Sequence, residues 1–302
     1  MSLWIVFSLA AAVFQTLRFM LQKTLSQTKL SAGGATFARF LYSAPLAVAG
    51  ITAYLSLSGQ SLPPLPPAFW AFGAFGGLTQ VIATICVVLL FQSRNFAVGV
   101  AFAKTEVILT VLVGLIVLGE GVSAGGLMLI ALGVVGVVLL SVDPAAVETG
   151  WRRLTNRAAG LGIASGLLFA CSGVCYRAAS LQVVSGDPLL RAGVTLAAVT
   201  SMQMLGMWLW LRWREAGQTG RVLAAWRSAG FIGLTSMAGS FCWFTAFTLQ
   251  IAAYVKAVGQ VELIFGLAAA TLVFKEAISR RELLGMAILA LSILGLVLAV
   301  PT

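Results

Sequence analysis

From Phe40 to Ser93 the chain carries no charged residue. That run is too long for one helix and too apolar for a surface wetted by water. Across the whole chain 60% of residues are hydrophobic and only 9% are charged, where a soluble domain carries about 25% charged residues. The mean hydropathy is +1.01. A globule of 302 residues with so few polar side chains has no means of covering its apolar surface in water. Most of the chain must therefore face lipid. Lipid offers the backbone no hydrogen bonds, so spanning runs must be helices or a closed barrel. No stretch alternates in polarity as barrel strands do. These observations exclude a soluble enzyme, a secreted disulfide scaffold and a disordered chain.

Proline divides the uncharged run. The cluster Pro63, Pro64, Pro66 and Pro67 has no place inside a helix. Charged clusters divide the remainder, giving ten helices at 3–23, 33–57, 67–92, 95–118, 122–142, 157–179, 188–212, 226–249, 251–274 and 282–300. Ten spans of about 20 residues fit the length. The opening apolar stretch lacks a basic leader and a small-residue cleavage site, and reads as the first span rather than a signal peptide. The polar stretch Asp143 to Asn156, with Pro144 inside it, marks a boundary. Residues 1–145 form one five-helix unit, 146–156 a linker and 157–302 a second five-helix unit.

The net charge is +10, but no block of basic residues forms a nucleic-acid patch. Lys and Arg instead collect on the loops after the odd-numbered helices: Lys23, Lys29, Arg94, Arg152, Arg153, Arg157, Arg212, Arg214, Arg221, Arg227, Lys275, Arg280 and Arg281. The other side has Arg177, Arg191 and Lys256 at most. Short cytoplasmic loops are enriched in basic residues, so the odd loops are expected inside and both termini outside. The chain contains no His, which removes imidazole as base or ligand. Its cysteines, Cys86, Cys171, Cys175 and Cys242, lie in apolar runs. Cys171 and Cys175 are one helical turn apart, open to a metal or redox role or to simple packing. No cofactor motif, metal cluster or phosphate loop is evident, and no enzymatic activity is expected.

The halves resemble each other. Trp70, Gly77-Leu78-Thr79, Cys86, Phe91, Glu106 and Glu120 align at one constant offset with Trp226, Gly233-Leu234-Thr235, Cys242, Phe247, Glu262 and Glu276. Lys23 and Arg39 find partners in Arg177 and Arg191 at slightly smaller offsets, and Gly126 and Gly136 in Gly285 and Gly295 after a short insertion. Five helices per half is an odd number, so the second half would enter the membrane from the opposite side. The expected fold is all-α and integral to the membrane, with ten transmembrane helices as two inverted repeats. Leu118-Gly119-Glu120 with a glycine-bearing helix behind it, repeated as Phe274-Lys275-Glu276, resembles the EamA-type carriers of the drug/metabolite transporter superfamily. The resemblance covers essentially the whole chain, with a YddG-like amino-acid exporter branch the nearest. It implies a secondary transporter of the bacterial inner membrane, working as a single chain and exporting small metabolites such as amino acids. Many such carriers have proline in the middle of helices four and nine. This chain has Thr105-Glu106-Val107 and Val261-Glu262-Leu263 there.

Some ionisable residues fall inside spans. An ionisable group at the bilayer centre costs about 2.5–3.5 kcal/mol or more, so each must face a cavity or a partner. Lys104, Glu106 and Glu262 are of this kind, as are Arg18 and Lys256 nearer helix ends. The two glutamates either pair with Lys or Arg across the bundle or line a substrate or proton path. Glu120 and Glu276 either cap the next helix through Ser123 or Ser279 or pair with loop arginines. Arg39 and Arg191 read as snorkelling groups near the membrane surface. Trp208, Trp210 and Trp213 read as an interfacial belt. Pro45 would kink its helix. Gly73 with Gly77 and Gly162 with Gly166 read as close-packing faces. The candidate cavity comprises Gln15, Arg18, Tyr42, Gln80, Lys104, Glu106, Tyr176, Trp243, Tyr254, Gln260 and Glu262, with Trp243 facing either an aromatic substrate or lipid. Arg18 or Lys104 would meet a carboxylate, and Glu106 or Glu262 an ammonium. The rival readings are a proton-coupled exporter of hydrophobic cations and a channel or structural membrane protein.

Overall fold

A computed structural model describes residues 2–28, 30–91, 103–141, 157–265 and 280–299. Every regular element among them is helical: α1 (Leu3–Thr28), α2 (Ala32–Ser58), α3 (Pro67–Phe91), α4 (Glu106–Leu118), α5 (Ala124–Ser141), α6 (Arg157–Gln182), α7 (Pro188–Arg214), α8 (Gln218–Ala224), α9 (Trp226–Leu249), α10 (Ala252–Gly259) and α11 (Arg280–Ala299). Six of them, α1, α2, α3, α6, α7 and α9, contain stretches long and apolar enough to cross a membrane. They give the chain the character of a multi-pass helical membrane protein.

Local sequence sets the ends. Ser31 caps α2 by accepting the Gly34 N–H at 2.9 Å, and Asp187 caps α7 by accepting the Leu189 N–H at 2.9 Å, with Pro188 at the first helical position. Both residues are strong N-caps, and proline at that position loses no helical bond. Gly119 ends α4 with φ 66°, a left-handed conformation that costs glycine little. Its N–H and that of Glu120 bond back to Leu115 and Gly114, closing the helix. Pro45 lies within α2, which continues to Ser58. The short α8, in the basic loop before Trp226, has no counterpart in the sequence reading.

The fourth and ninth expected spans differ from continuous helices. Lys104 and Thr105 form a turn immediately before Glu106. Gln260 and Val261 form another immediately before Glu262, where the Gln260 and Val261 N–H groups bond three residues back instead of four. Residues 95–102 and 266–274 of those spans, and the motif residues Phe274, Lys275 and Glu276 with Ser279, lie outside the described residues, as do Lys29, Arg94, Arg152, Arg153 and the 146–156 linker.

The main packing pairs are α3 on α6, α1 on α9, α5 on α11 and α2 on α7. A central core contains Trp4, Val107, Tyr176, Phe244, Phe247 and Val255. Separate clusters around Phe37, Phe40 and Leu211, and around Phe69, Val183 and Leu190, fill the regions on either side. Glycines permit the closest approaches. A Cβ on Gly136 would lie 2.8 Å from the Leu289 backbone nitrogen, and one on Gly166 would lie 2.9 Å from the Ala103 carbonyl oxygen. Gly73 and Gly77 face Val199 of α7, as close-packing small residues do in membranes.

Candidate functional site

A narrow cavity, with room for a group of a few atoms, lies where α1, α2, α3, α6, α9 and α10 converge. Its polar walls are Gln15 and Arg18 of α1, Arg39 of α2, Gln80 of α3, Ser172 and Tyr176 of α6, Ser240 of α9 and Lys256 of α10. Its apolar wall is Phe169 with Trp243, Phe244 and Phe247. Tyr176 stacks on Phe244 at 4.4 Å between ring centroids, and Trp243 on Phe247 at 5.6 Å.

Two ion pairs stand beside this cavity. Lys104 pairs with Glu262, and Lys256 with Glu106 at 3.6 Å. Each joins a residue of the first half to one of the second. Glu262 also accepts from the Gln15 amide, while Trp243 donates its indole N–H to the Gln15 Oε1 at 3.0 Å. A continuous chain thus runs from the aromatic wall through Gln15 to Glu262 and Lys104. Lys256 sits over the rings of Trp243, Phe169 and Phe247 at 5.0, 5.5 and 5.9 Å, so the pair to Glu106 is backed by cation–π attraction. Gln260 reaches Glu106 at 3.5 Å. On the opposite wall Tyr176 donates to Gln80 at 3.0 Å, and Gln203 donates to the Gly77 carbonyl at 2.9 Å and to Gln80 at 3.0 Å.

The eleven sequence candidates divide accordingly. Gln15, Arg18, Gln80, Tyr176 and Trp243 line the cavity, while Lys104, Glu106, Gln260 and Glu262 form the charged shell next to it. Tyr42 and Tyr254 belong to neither. Tyr42 packs against Gly233 and reaches the Val222 carbonyl at 3.5 Å. Tyr254 packs on Gly126 and meets the Ser123 hydroxyl at 3.4 Å and its N–H at 3.3 Å. Aromatic polarity alone does not distinguish a cavity wall from such helix-end contacts. Trp243 faces the protein interior rather than lipid.

Arg39 requires a further correction. Instead of snorkelling it is 4% exposed, and it donates to Ser236 at 2.7 Å, Ser240 at 3.1 Å and Thr84 at 3.5 Å. The signal available in the sequence was the pair of serines on one face of α9, whose placement opposite Arg39 only the tertiary packing reveals. Lys256, read as a charge inside the ninth span but not included among the cavity candidates, also lines the cavity.

Polar contacts tie helices together on both sides of the cavity. On one side Ser31 bonds Glu215, and Gln218 accepts from the Ser31 N–H at 3.4 Å. On the other side Arg177 holds Glu120 with Nε at 2.7 and 2.8 Å and Nη2 at 2.7 Å. Arg177 also donates to the Phe247 and Gln250 carbonyls at 2.6 and 2.9 Å. Glu120 is thus paired across the bundle, and Ser123 caps its helix independently by accepting from Gly126. Nearby, the Tyr54 hydroxyl donates to Asp187 at 2.5 Å. Partial burial works to raise the Asp187 pKa, but the bonds from Tyr54, the Leu189 and Leu190 amides and Gln60 outweigh it and hold this carboxyl below its ordinary value. Arg212 and Arg214 lie over the rings of Trp208 and Trp213 at 5.6 and 5.0 Å, at the helix end read as an aromatic belt.

No protein-family model matches the chain, and no curated protein matches it. Its fold is similar to that of a solved crystal structure, with a TM-score of 0.71 over 98% of this chain and 96% of that one. Sequence identity between the two is 13%, so the likeness concerns architecture.

Proposed function

We propose that this chain is a secondary carrier of the EamA type, within the drug/metabolite transporter superfamily. In this reading it exports small carboxylate-bearing metabolites, amino acids first among them, across a bacterial cytoplasmic membrane. The observation that carries the proposal is the charged and polar cavity held between otherwise apolar helices, with walls from both halves of the chain. Charged groups are costly in hydrocarbon and are gathered where they line a pathway or meet partners. Here they do both.

Three features support alternating access. The pairings α3 on α6 and α1 on α9 exchange when the halves are exchanged, and α5 on α11 and α2 on α7 map onto themselves, as an inverted repeat requires. Broken helices beside a central site are a recurrent device of such carriers. The polar contacts on each side of the cavity, Ser31 with Glu215 and Arg177 with Glu120, are suited to opening in turn. The carrier works as a single ten-helix chain with both termini outside, needing neither cofactor nor metal. Export of hydrophobic cations is disfavoured because Glu106 and Glu262 are already engaged by lysines.

The test is uptake of radiolabelled amino acids into proteoliposomes of the purified protein, with quaternary ammonium dyes as competitors. Saturable amino-acid uptake above empty vesicles is expected. Transport of dyes but of no amino acid would overturn the proposal. Accumulation driven by an imposed pH gradient would indicate coupling to protons, and equilibration a uniporter.

A further inference from the structure

Arg18 is 4% exposed, and its Nη1 has no hydrogen-bond partner. It lines the cavity together with Arg39. The groups that Arg39 bonds are neutral hydroxyls. The acids whose side chains are described are engaged elsewhere: Glu106 by Lys256, Glu262 by Lys104, Glu120 by Arg177, Glu215 by Ser31 and Asp187 by Tyr54. Among the described residues, then, the cavity holds two guanidinium groups with no carboxylate to balance them. A buried, unbalanced cation is strongly unfavourable, and a guanidinium presents a fork of donors that fits a carboxylate. The rings beside them, Phe19 at 4.4 Å from Arg18 and Phe40 at 5.0 Å from Arg39, carry no net charge, so a ligand that brings negative charge would relieve the imbalance.

We infer that the cavity is built for a net anion, whose carboxylate is taken by Arg18 beside Arg39 and whose apolar body lies against Trp243 and Phe247. An ammonium group gains no comparable partner, because both nearby glutamates are already neutralised. This assignment rests on the carrier reading for its biological role and revises its substrate order: organic anions come first, ahead of the amino acids with the same side chain. The cavity as it stands admits only a group of a few atoms. The carboxylate therefore enters the polar pocket, and the rest of the ligand is accommodated as the helices part.

Three compounds sharing one ring and chain separate the charges: 3-phenylpropionate, phenylalanine and phenethylamine. Their binding to the purified protein in nanodiscs is measured by isothermal titration calorimetry. The expected order is 3-phenylpropionate tightest, phenylalanine weaker and phenethylamine weakest. Arg18→Gln should weaken 3-phenylpropionate by about ten- to hundredfold, the range expected for a charge-assisted bond, and should not weaken phenethylamine, which loses a repelling charge. Its thermal midpoint should not fall, since the variant removes an unbalanced buried charge. Phenethylamine binding as tightly as the propionate would overturn the assignment. So would no binding by any of the three, or an Arg18→Gln variant that loses thermal stability while keeping the wild-type order. Binding in the expected order by a protein that moves none of the compounds into vesicles would uphold the anion site and remove the transporter reading.

Discussion

At the scale of single residues, each buried glutamate meets a lysine from the other half of the chain, Glu106 with Lys256 and Glu262 with Lys104, the pairing that was one of the readings composition left open. Lys104 and Glu262 are 11% and 9% exposed, so deleting one partner leaves the other charge buried. Removing one member of such a pair costs about 3–5 kcal/mol, whereas removing both is often close to neutral. Glu262→Gln should therefore lower the thermal midpoint of the detergent-solubilised protein, and Lys104→Met added to it should restore most of the loss. A double variant no better than the single one would show that the pair is not what Glu262 contributes. Asp187 allows a test by pH. Its pKa is lowered in the folded chain, so its contribution is present above the unfolded value, near 4, and is lost as pH falls through the folded value. Thermal midpoints measured between pH 6 and pH 3 should fall more for the wild type than for Asp187→Asn; identical slopes would refute a role for the Tyr54–Asp187 contact. That Lys104, Glu106 and Glu262 need partners was legible from burial cost alone. Which lysine meets which glutamate was not, because the answer depends on how two distant helices cross.

At the scale of elements, six long apolar helices follow directly from hydropathy, while the caps Ser31 and Asp187 were not read from the sequence and come from the structure. The breaks before Glu106 and Glu262 were less legible because they occur without proline or glycine in the turns themselves. The turns carry Lys104 and Gln260 beside glutamates that reach across to the other half. Polar partners outside the helix thus accompany the break that proline would otherwise impose. Gly166 is the structural complement: its missing Cβ lets α6 approach the Ala103 carbonyl next to the first break. Glycine also controls the α5–α11 contact. At Gly136 an added Cβ meets backbone atoms of Leu289 and Gly285 at 2.8 and 2.9 Å, which no rotamer change relieves. Gly136→Ala should destabilise by about 1–3 kcal/mol, the usual cost of overpacking. Gly125→Ala, where an added Cβ meets nothing within 4 Å, should be neutral or mildly stabilising, since alanine favours helix. Thermal unfolding of the two variants side by side checks the contrast, and equal midpoints would mean that the two helices separate more easily than their packing implies.

At the scale of the whole molecule, the polarity of the loops makes a prediction independent of any substrate. The face bearing Arg212, Arg214, Arg221 and Arg227 also carries α8 and the Ser31–Glu215 contact. The face opposite carries the turn from α2 to α3 and the Arg177–Glu120 contact. Basic residues are retained on the cytoplasmic side, so the first face should be inside and the second outside. Native cysteines do not obscure a labelling test, since Cys86, Cys175 and Cys242 are buried and Cys171 is partly so. Ser61 and Ala216 are exposed, one on each face. Ser61→Cys should react with a membrane-impermeant maleimide in intact cells, and Ala216→Cys only after the cells are broken. The reverse pattern would invert the molecule and, with it, the direction in which each side contact opens. Labelling of both sites in intact cells would mean that the two faces do not lie on opposite sides of a membrane. It would remove the carrier reading altogether, because alternating access requires that the cavity between them connect two separate compartments.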